Sequence, residues 1–235
     1  MTIPRLTLMS TLAVFAPLKE RIAPAFETEA GVSVDMRFDP TAVLLDAIEN
    51  GQEADAIIAT VAAIEELTTK GILLKADRVD VARTAVGIAK QVGTKPLDIS
   101  TPETCVDVLR NAASIAYSRT GASGHLFERL IETLGIAAEV RRKAIIIPKG
   151  FTAKLLVSGE AELAVQQMSE LAAIPGVELV GPFPEPYRFH TTFAAAVFRS
   201  SVRQAQTRLF IRYLTNARSI RALAEAGLEA TETSL

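Results

Sequence analysis

The sequence predicts an α/β fold with a mostly parallel sheet and helices on both faces. Three observations carry that expectation. Short runs rich in Val, Ile and Ala alternate with amphipathic stretches of about ten residues, as strand–helix–strand units do. Glycines such as Gly31, Gly51, Gly71 and Gly135 fall just past the ends of those stretches, where helices stop. Hydroxyl residues stand at turn after turn between a strand and the next helix.

Element by element, Ile3 to Met9 reads as the first strand. A helix follows from about Pro17, with Leu18, Ile22 and Phe26 on one face, a kink at Pro24 and a stop at Gly31. Val32, Val34, Met36 and Phe38 alternate with polar residues, as a half-buried strand requires. Asp39-Pro40-Thr41 opens a short helix ending at Gly51. Ala54 to Ala59 is a continuous apolar strand, and Val61 to Lys70 a helix closed by Gly71. Thr84 to Lys90 is the next strand, and Ser100 or Thr101 caps a helix that has Pro102 at its first position. Ser114 to Ser118, Ala144 to Ile147, Ala161 to Val165 and Val177 to Val180 read as strands. Ser123 to Leu134, Phe151 to Val157 and Met168 to Ala173 read as helices between them. A proline-rich stretch from Gly181 to Pro186 leads to a last strand, Thr191 to Phe198, and two helices finish the chain.

Composition narrows the function classes. Of 235 residues, 49% are hydrophobic and 22% charged, which excludes a disordered chain. Net charge is −2, so no basic excess points to nucleic acid. Arg203, Arg208, Arg212, Arg218 and Arg221 interleave with Leu209, Phe210, Tyr213, Leu214 and Leu223, which is the solvated face of amphipathic helices. Cys105 is the single cysteine and lies in an apolar helical pattern, so a buried structural thiol is expected. One Cys and the two distant histidines, His125 and His190, are too few for a zinc site, and no metal or cofactor is expected. No run is long enough to span a membrane. Leu6 to Leu18 contains Ser10, Thr11 and Pro17 and reads as strand and turn rather than leader peptide.

In open α/β sheets, ligands bind beyond the carboxyl ends of the strands, where helix starts offer N–H groups to anions. The residues at such turns are Ser10 and Thr11, Thr41, Thr60, Ser118, Arg119, Ser123 and Gly124, and Gln166 and Gln167. Each hydroxyl is also a sufficient helix cap on its own, and only their recurrence argues for a ligand. The segment Ser118-Arg119-Thr120-Gly121-Ala122-Ser123-Gly124-His125 is the most informative. It is neither a Walker loop nor a G-x-G-x-x-G turn, and no G-x-S-x-G elbow is present. His125 is the candidate acid or base, and its alternative is a surface residue at a helix start.

Several segments together resemble the type II periplasmic solute-binding proteins in their molybdate-binding-like branch. They are Ser10-Thr11, Pro24 to Glu27 with Gly31, Asp55, Arg119 to Leu130, Gly159 to Glu162, Pro175 to Val177, and Gly181-Pro182. The resemblance implies two lobes with a ligand cleft between them: residues 1–81 with 191–235, and residues 82–190. It implies crossings near Val81 to Ala85 and near Arg188 to Thr192, a small anionic ligand, a transporter permease as partner, and a monomer. The implied compartment is the periplasm, or the cytoplasm if Met1 is the native start.

Molybdate binders of this branch hold the oxyanion with serine hydroxyls, backbone N–H groups and a tyrosine. Ser10 matches one serine and Thr41 stands in for another, but no tyrosine occupies Gln166 to Met168. The loop Ala122-Ser123-Gly124 is similar to that of a subgroup that includes aconitate isomerase. An organic di- or tricarboxylate is therefore the expected ligand, with Arg37, Arg119, Lys149 and Arg188 as cationic partners or, alternatively, plain surface charges. Cis–trans isomerisation of aconitate and binding of molybdate or tungstate are the alternatives.

Overall fold

The computed structural model describes residues 4–231. Ile3, expected to open the first strand, lies outside them. The elements run β1 (Arg5–Ser10), a 3-10 turn (Leu12–Val14), α1 (Phe15–Pro17), a π turn (Leu18–Ile22), α2 (Ala23–Ala30), β2 (Ser33–Phe38), α3 (Thr41–Glu49), β3 (Ala56–Thr60) and α4 (Val61–Thr69). A 3-10 turn (Lys75–Asp77) leads to β4 (Val79–Gln91), α5 (Pro102–Asn111), β5 (Ile115–Ser118), α6 (Ala122–Thr133), α7 (Ala137–Arg141) and β6 (Ala144–Ile147). Then come α8 (Lys154–Val157), β7 (Leu163–Gln167), α9 (Met168–Ala172), β8 (Val177–Pro182), β9 (His190–Val197), α10 (Gln204–Leu214) and α11 (Ala217–Glu225).

Two compact units divide the chain, which leaves the first at Arg83 and re-enters it at Thr192. In the first unit β1 pairs in parallel with β2 and β3, and β9 runs antiparallel to β3. In the second, β5 pairs in parallel with β6 and β7, while β4 runs antiparallel to β7 and β8.

Strand periodicity explains why these runs read as continuously apolar. Ala56 and Ile58 of β3, with Phe193, Ala195 and Val197 of β9, face one core that also holds Phe26, Phe210 and Leu214. Ile57 and Ala59, with Ala194 and Ala196, face a second core with Leu44, Ile64 and Leu67. Both faces of the sheet are covered, so every position of β3 up to Ala59 is buried. The second unit repeats the arrangement, with Val86, Ile88, Tyr117 and Val165 on one face and Ala89, Ala116 and Ala164 on the other. Burying each large apolar side chain contributes about 1.5–3 kcal/mol.

Three details differ from the sequence expectation. The bend expected at Pro24 is taken up one turn earlier, as the π turn. Pro24 has no N–H to offer the carbonyl four residues back, and the helix widens there instead of breaking. α8 covers only Lys154–Val157, because the turn before it is organised by Thr152 and Gln166 side chains rather than by helix bonds. β7 extends to Gln167, so Gln166 and Gln167 are strand residues and not part of the turn after it. Elsewhere Gly31 ends α2 in the left-handed region at φ 64, as expected of a helix stop.

Candidate functional site

The candidate residues gather at strand ends in each unit. In the first, Ser10 ends β1 and is fully buried. Its backbone carbonyl accepts from Asp39 N–H at 3.1 Å, and its hydroxyl donates to Thr11 O at 3.1 Å. Thr11, 4% exposed, is tied to β3 through its N–H and Ile58 O at 2.9 Å. Thr41 opens α3 behind Pro40, which has no side chain to cap with, so the first N–H groups of that helix are not answered by a cap. Thr60 differs: its hydroxyl accepts from Ala63 N–H at 3.4 Å and caps α4.

In the second unit, β5 delivers Ser118 into a tight turn. Ser118 Oγ accepts from Gly121 N–H at 2.8 Å, Arg119 N–H donates to Ile147 O at 2.9 Å, and Thr120 Oγ1 donates to Pro148 O at 2.7 Å. α6 then starts at Ala122 with no side-chain cap. Ser123 and Gly124 are buried in its first turn, and His125, the next residue, is exposed. Gly124 is required by packing, since a Cβ there would run into the backbone carbonyl of Ser118. The far side of α6 is fixed by Glu128, which accepts from the Tyr117 hydroxyl and from Arg141 at 2.6 Å. Burial alone would raise the Glu128 pKa, but those two donors hold it below the ordinary carboxylate value.

At the end of β7 the amide of Gln166 is engaged on both sides. Its Oε1 accepts from Thr152 N–H at 2.9 Å and Thr152 Oγ1 at 3.0 Å, and its Nε2 donates to Gly150 O at 2.9 Å. Gln167 Nε2 donates to Thr191 Oγ1 at 2.7 Å, whereas Gln167 Oε1 is buried without a donor. Ser169 Oγ is also buried without a partner. Glu170, one residue on, is 6% exposed. Burial pushes its carboxyl up to about 8, against the opposing pull of hydrogen bonds from the Gln167 backbone and the Gln166 side chain. Sequence reading passed over Glu170, Ser169 and Thr152. The available signal was an acidic residue in the first turn of the helix that follows a strand ending in two glutamines.

None of the four expected cations is buried. Arg37 is held by Asp39 at 2.8 Å and by Gln52. Arg188 bonds Phe183 O at 3.4 Å and lies 3.8 Å from Glu185. Arg119, Lys149 and Arg188 are exposed. The sites thus offer hydroxyls, amides and N–H groups in their buried parts and keep positive charge at the surface. Cys105 is buried in α5, and desolvation pushes its thiol up to about 11, which leaves it a poor nucleophile. A surface cavity of about 560 Å³ in the first unit, lined among others by Arg21, Thr28, Tyr213 and Arg221, contains none of the candidate residues.

The model of a family described as bacterial extracellular solute-binding proteins matches residues 6–229. An aconitate isomerase from a Pseudomonas species is 27% identical over 229 residues, covering 95% of this chain and 87% of that protein. The periplasmic molybdate-binding protein of Azotobacter vinelandii superposes with a TM-score of 0.82 at 15% identity, covering 97% of this chain and all of that one. The sulfate-binding protein SubI of Mycobacterium tuberculosis does so with a TM-score of 0.76 at 18% identity, covering 97% and 88%.

Proposed function

We propose, for a chain that belongs to the bacterial extracellular solute-binding protein family, that it binds a small tetrahedral oxyanion of the molybdate class through uncharged donors. Its α/β fold is that of type II periplasmic binding proteins, and its compartment is the periplasm. No described helix is long and apolar enough to cross a membrane. The observation that carries the proposal is the makeup of the two strand-end clusters. Ser10, Thr11, Ser118 and Ser123 are buried there, while Arg37 is paired and Arg119, Lys149 and Arg188 are exposed. A compact dianion can be held by many converging neutral dipoles, each contributing a charge-assisted hydrogen bond. A flexible tricarboxylate carries more charge over a larger volume and calls for buried cations. The implied partner is a transporter permease that receives the anion.

A second reading rests on the relative at 27% identity: the same clusters bind a tricarboxylate, and the protein isomerises it. Proton shift across an allylic system needs a base and an acid within reach of two carbons, with donors for the charge that develops. His125 is the proton carrier on that reading.

Thermal-shift titration separates the two. Because ligand stabilises only the folded state, a thousandfold excess over Kd adds about 4 kcal/mol. Molybdate or tungstate should raise Tm more than citrate or trans-aconitate at equal concentration. The reverse order, joined by conversion of trans- to cis-aconitate in proton NMR, would replace the first reading with the second.

A further inference from the structure

Glu170 is a buried carboxyl that the anion reading does not use. It sits in the first turn of α9, which packs on β7 and β8. β7 carries no charged residue, being Leu-Ala-Val-Gln-Gln. β8 carries Glu178, whose carboxylate is taken by Lys90 of β4 at 2.7 Å. No arginine, lysine or histidine on α9, β7 or β8 stands ready to neutralise an ionised Glu170. The groups that reach it are the Gln167 backbone and the Gln166 side chain.

Those bonds connect Glu170 to the turn that presents Ser118 and Ser123. Gln166 Nε2 also donates to Gly150 O, and Gln166 Oε1 accepts from Thr152, so that one amide bonds both ends of the segment from Gly150 to Thr152. Two residues earlier, Pro148 O accepts from Thr120 Oγ1, inside the turn. The same strand end contains an acceptor without a donor, Gln167 Oε1, and a second unpartnered polar atom, Ser169 Oγ. A neutral carboxyl adds an O–H donor to that surrounding, whereas a carboxylate adds only acceptors.

We propose that Glu170 is a positioning residue that makes anion binding proton-linked: its neutral form holds the Gln166 network in place, and its ionised form weakens the bound anion. The proposal rests on the anion-binding reading above. Two effects act in the same direction when the proton leaves. A negative charge appears in a low-dielectric strand end beside the residues expected to receive an anion. The Gln166 amide is drawn toward the new charge and away from Gly150, which loosens the segment that anchors Thr120.

The test is calorimetric titration of molybdate, and in parallel of trans-aconitate, into wild type and Glu170→Gln from about pH 6.5 to about pH 9.5. Molybdate keeps constant charge across that range, so its titration carries the pH comparison, and the trans-aconitate arm is compared between wild type and variant at each pH. Wild type should lose roughly tenfold or more in affinity, with a midpoint near the value of about 8 to which burial raises the carboxyl. Glu170→Gln should hold the ratio of its affinities at the two ends within about twofold. Glu170→Met, unbranched and uncharged, serves if the glutamine variant does not fold. An equal decline in wild type and variants would overturn the role of Glu170 and leave anion binding standing. Failure of wild type to bind either probe at any pH would overturn both.

Discussion

Each unit has a buried carboxyl side chain near a strand end, and the two are treated in opposite ways. Asp55, 5% exposed, precedes β3 and receives Thr7 N–H at 2.8 Å, Thr7 Oγ1 at 3.1 Å and Ser201 Oγ at 2.6 Å. It ties β1 and β3 to the chain beyond β9, and both of its oxygens receive donors. Glu170, 6% exposed, receives fewer donors and stands among polar atoms that have no partner. A buried carboxylate with several donors is architecture, because removing it orphans each of them. A buried carboxyl whose desolvation outweighs its few donors is kept neutral, and its proton becomes a variable that conditions can change. The difference teaches that burial of an acidic residue says little until its donors are counted.

The contrast can be broken at either end. The largest effect is expected at Asp55. Asp55→Ala leaves the Thr7 N–H and the Ser201 hydroxyl without their acceptor and should destabilise the protein by about 4 kcal/mol in urea unfolding. A loss below about 1 kcal/mol would mean that water replaces the carboxylate and that the clamp is not structural.

Glu170 should show itself in the pH dependence of the ligand-free protein. The folded state keeps the proton up to about pH 8, while the unfolded chain releases it near the ordinary carboxyl value of 4.5. Between those values the unfolded state binds fewer protons, so stability falls as pH rises, by about 1.4 kcal/mol per unit. Below that window the contribution vanishes, and above it the loss is complete. Glu170→Gln should remove this slope, so the variant gains on wild type as the buffer is taken from acid to pH 8. Parallel curves for the two proteins would show that Glu170 ionises as freely in the fold as in the chain.

A smaller effect tests the Gln166 network within the second unit. Thr152→Val removes the hydroxyl that donates to Gln166 Oε1 at 3.0 Å but keeps the backbone donor at 2.9 Å. It should cost about 1 kcal/mol. A loss as large as that of Asp55→Ala would place the structural clamp in the second unit as well.

Much of the fold was legible in the sequence because its signals are local. Both sheet faces are covered, so β3 and β7 read as plain apolar runs. Gly31 and Gly135 mark helix stops by their need for positive φ. The Ser118 to Gly124 turn was legible because glycines and hydroxyls cluster there, and the packing of Gly124 on Ser118 supplies the reason for one of those glycines. What the sequence did not convey are properties of partnership at a distance. Gln166 and Gln167 look alike in sequence, yet one amide is engaged at both ends and the other keeps a bare acceptor. The four cations looked suited to a tricarboxylate, yet Arg37 is taken by Asp39, a residue two positions along its own chain. Glu170 was passed over, because nothing local announces that a carboxyl is buried with few donors.

The central claim is that neutral donors, not cations, hold the anion. Calorimetric titration of molybdate into Ser123→Ala and Arg119→Ala tests it most directly. The account predicts that Ser123→Ala weakens binding about tenfold, the loss of one charge-assisted hydrogen bond, while exposed Arg119→Ala changes it by less than about threefold. A large loss in Arg119→Ala with Ser123→Ala unaffected would contradict it and return the site to cation-dependent carboxylate binding.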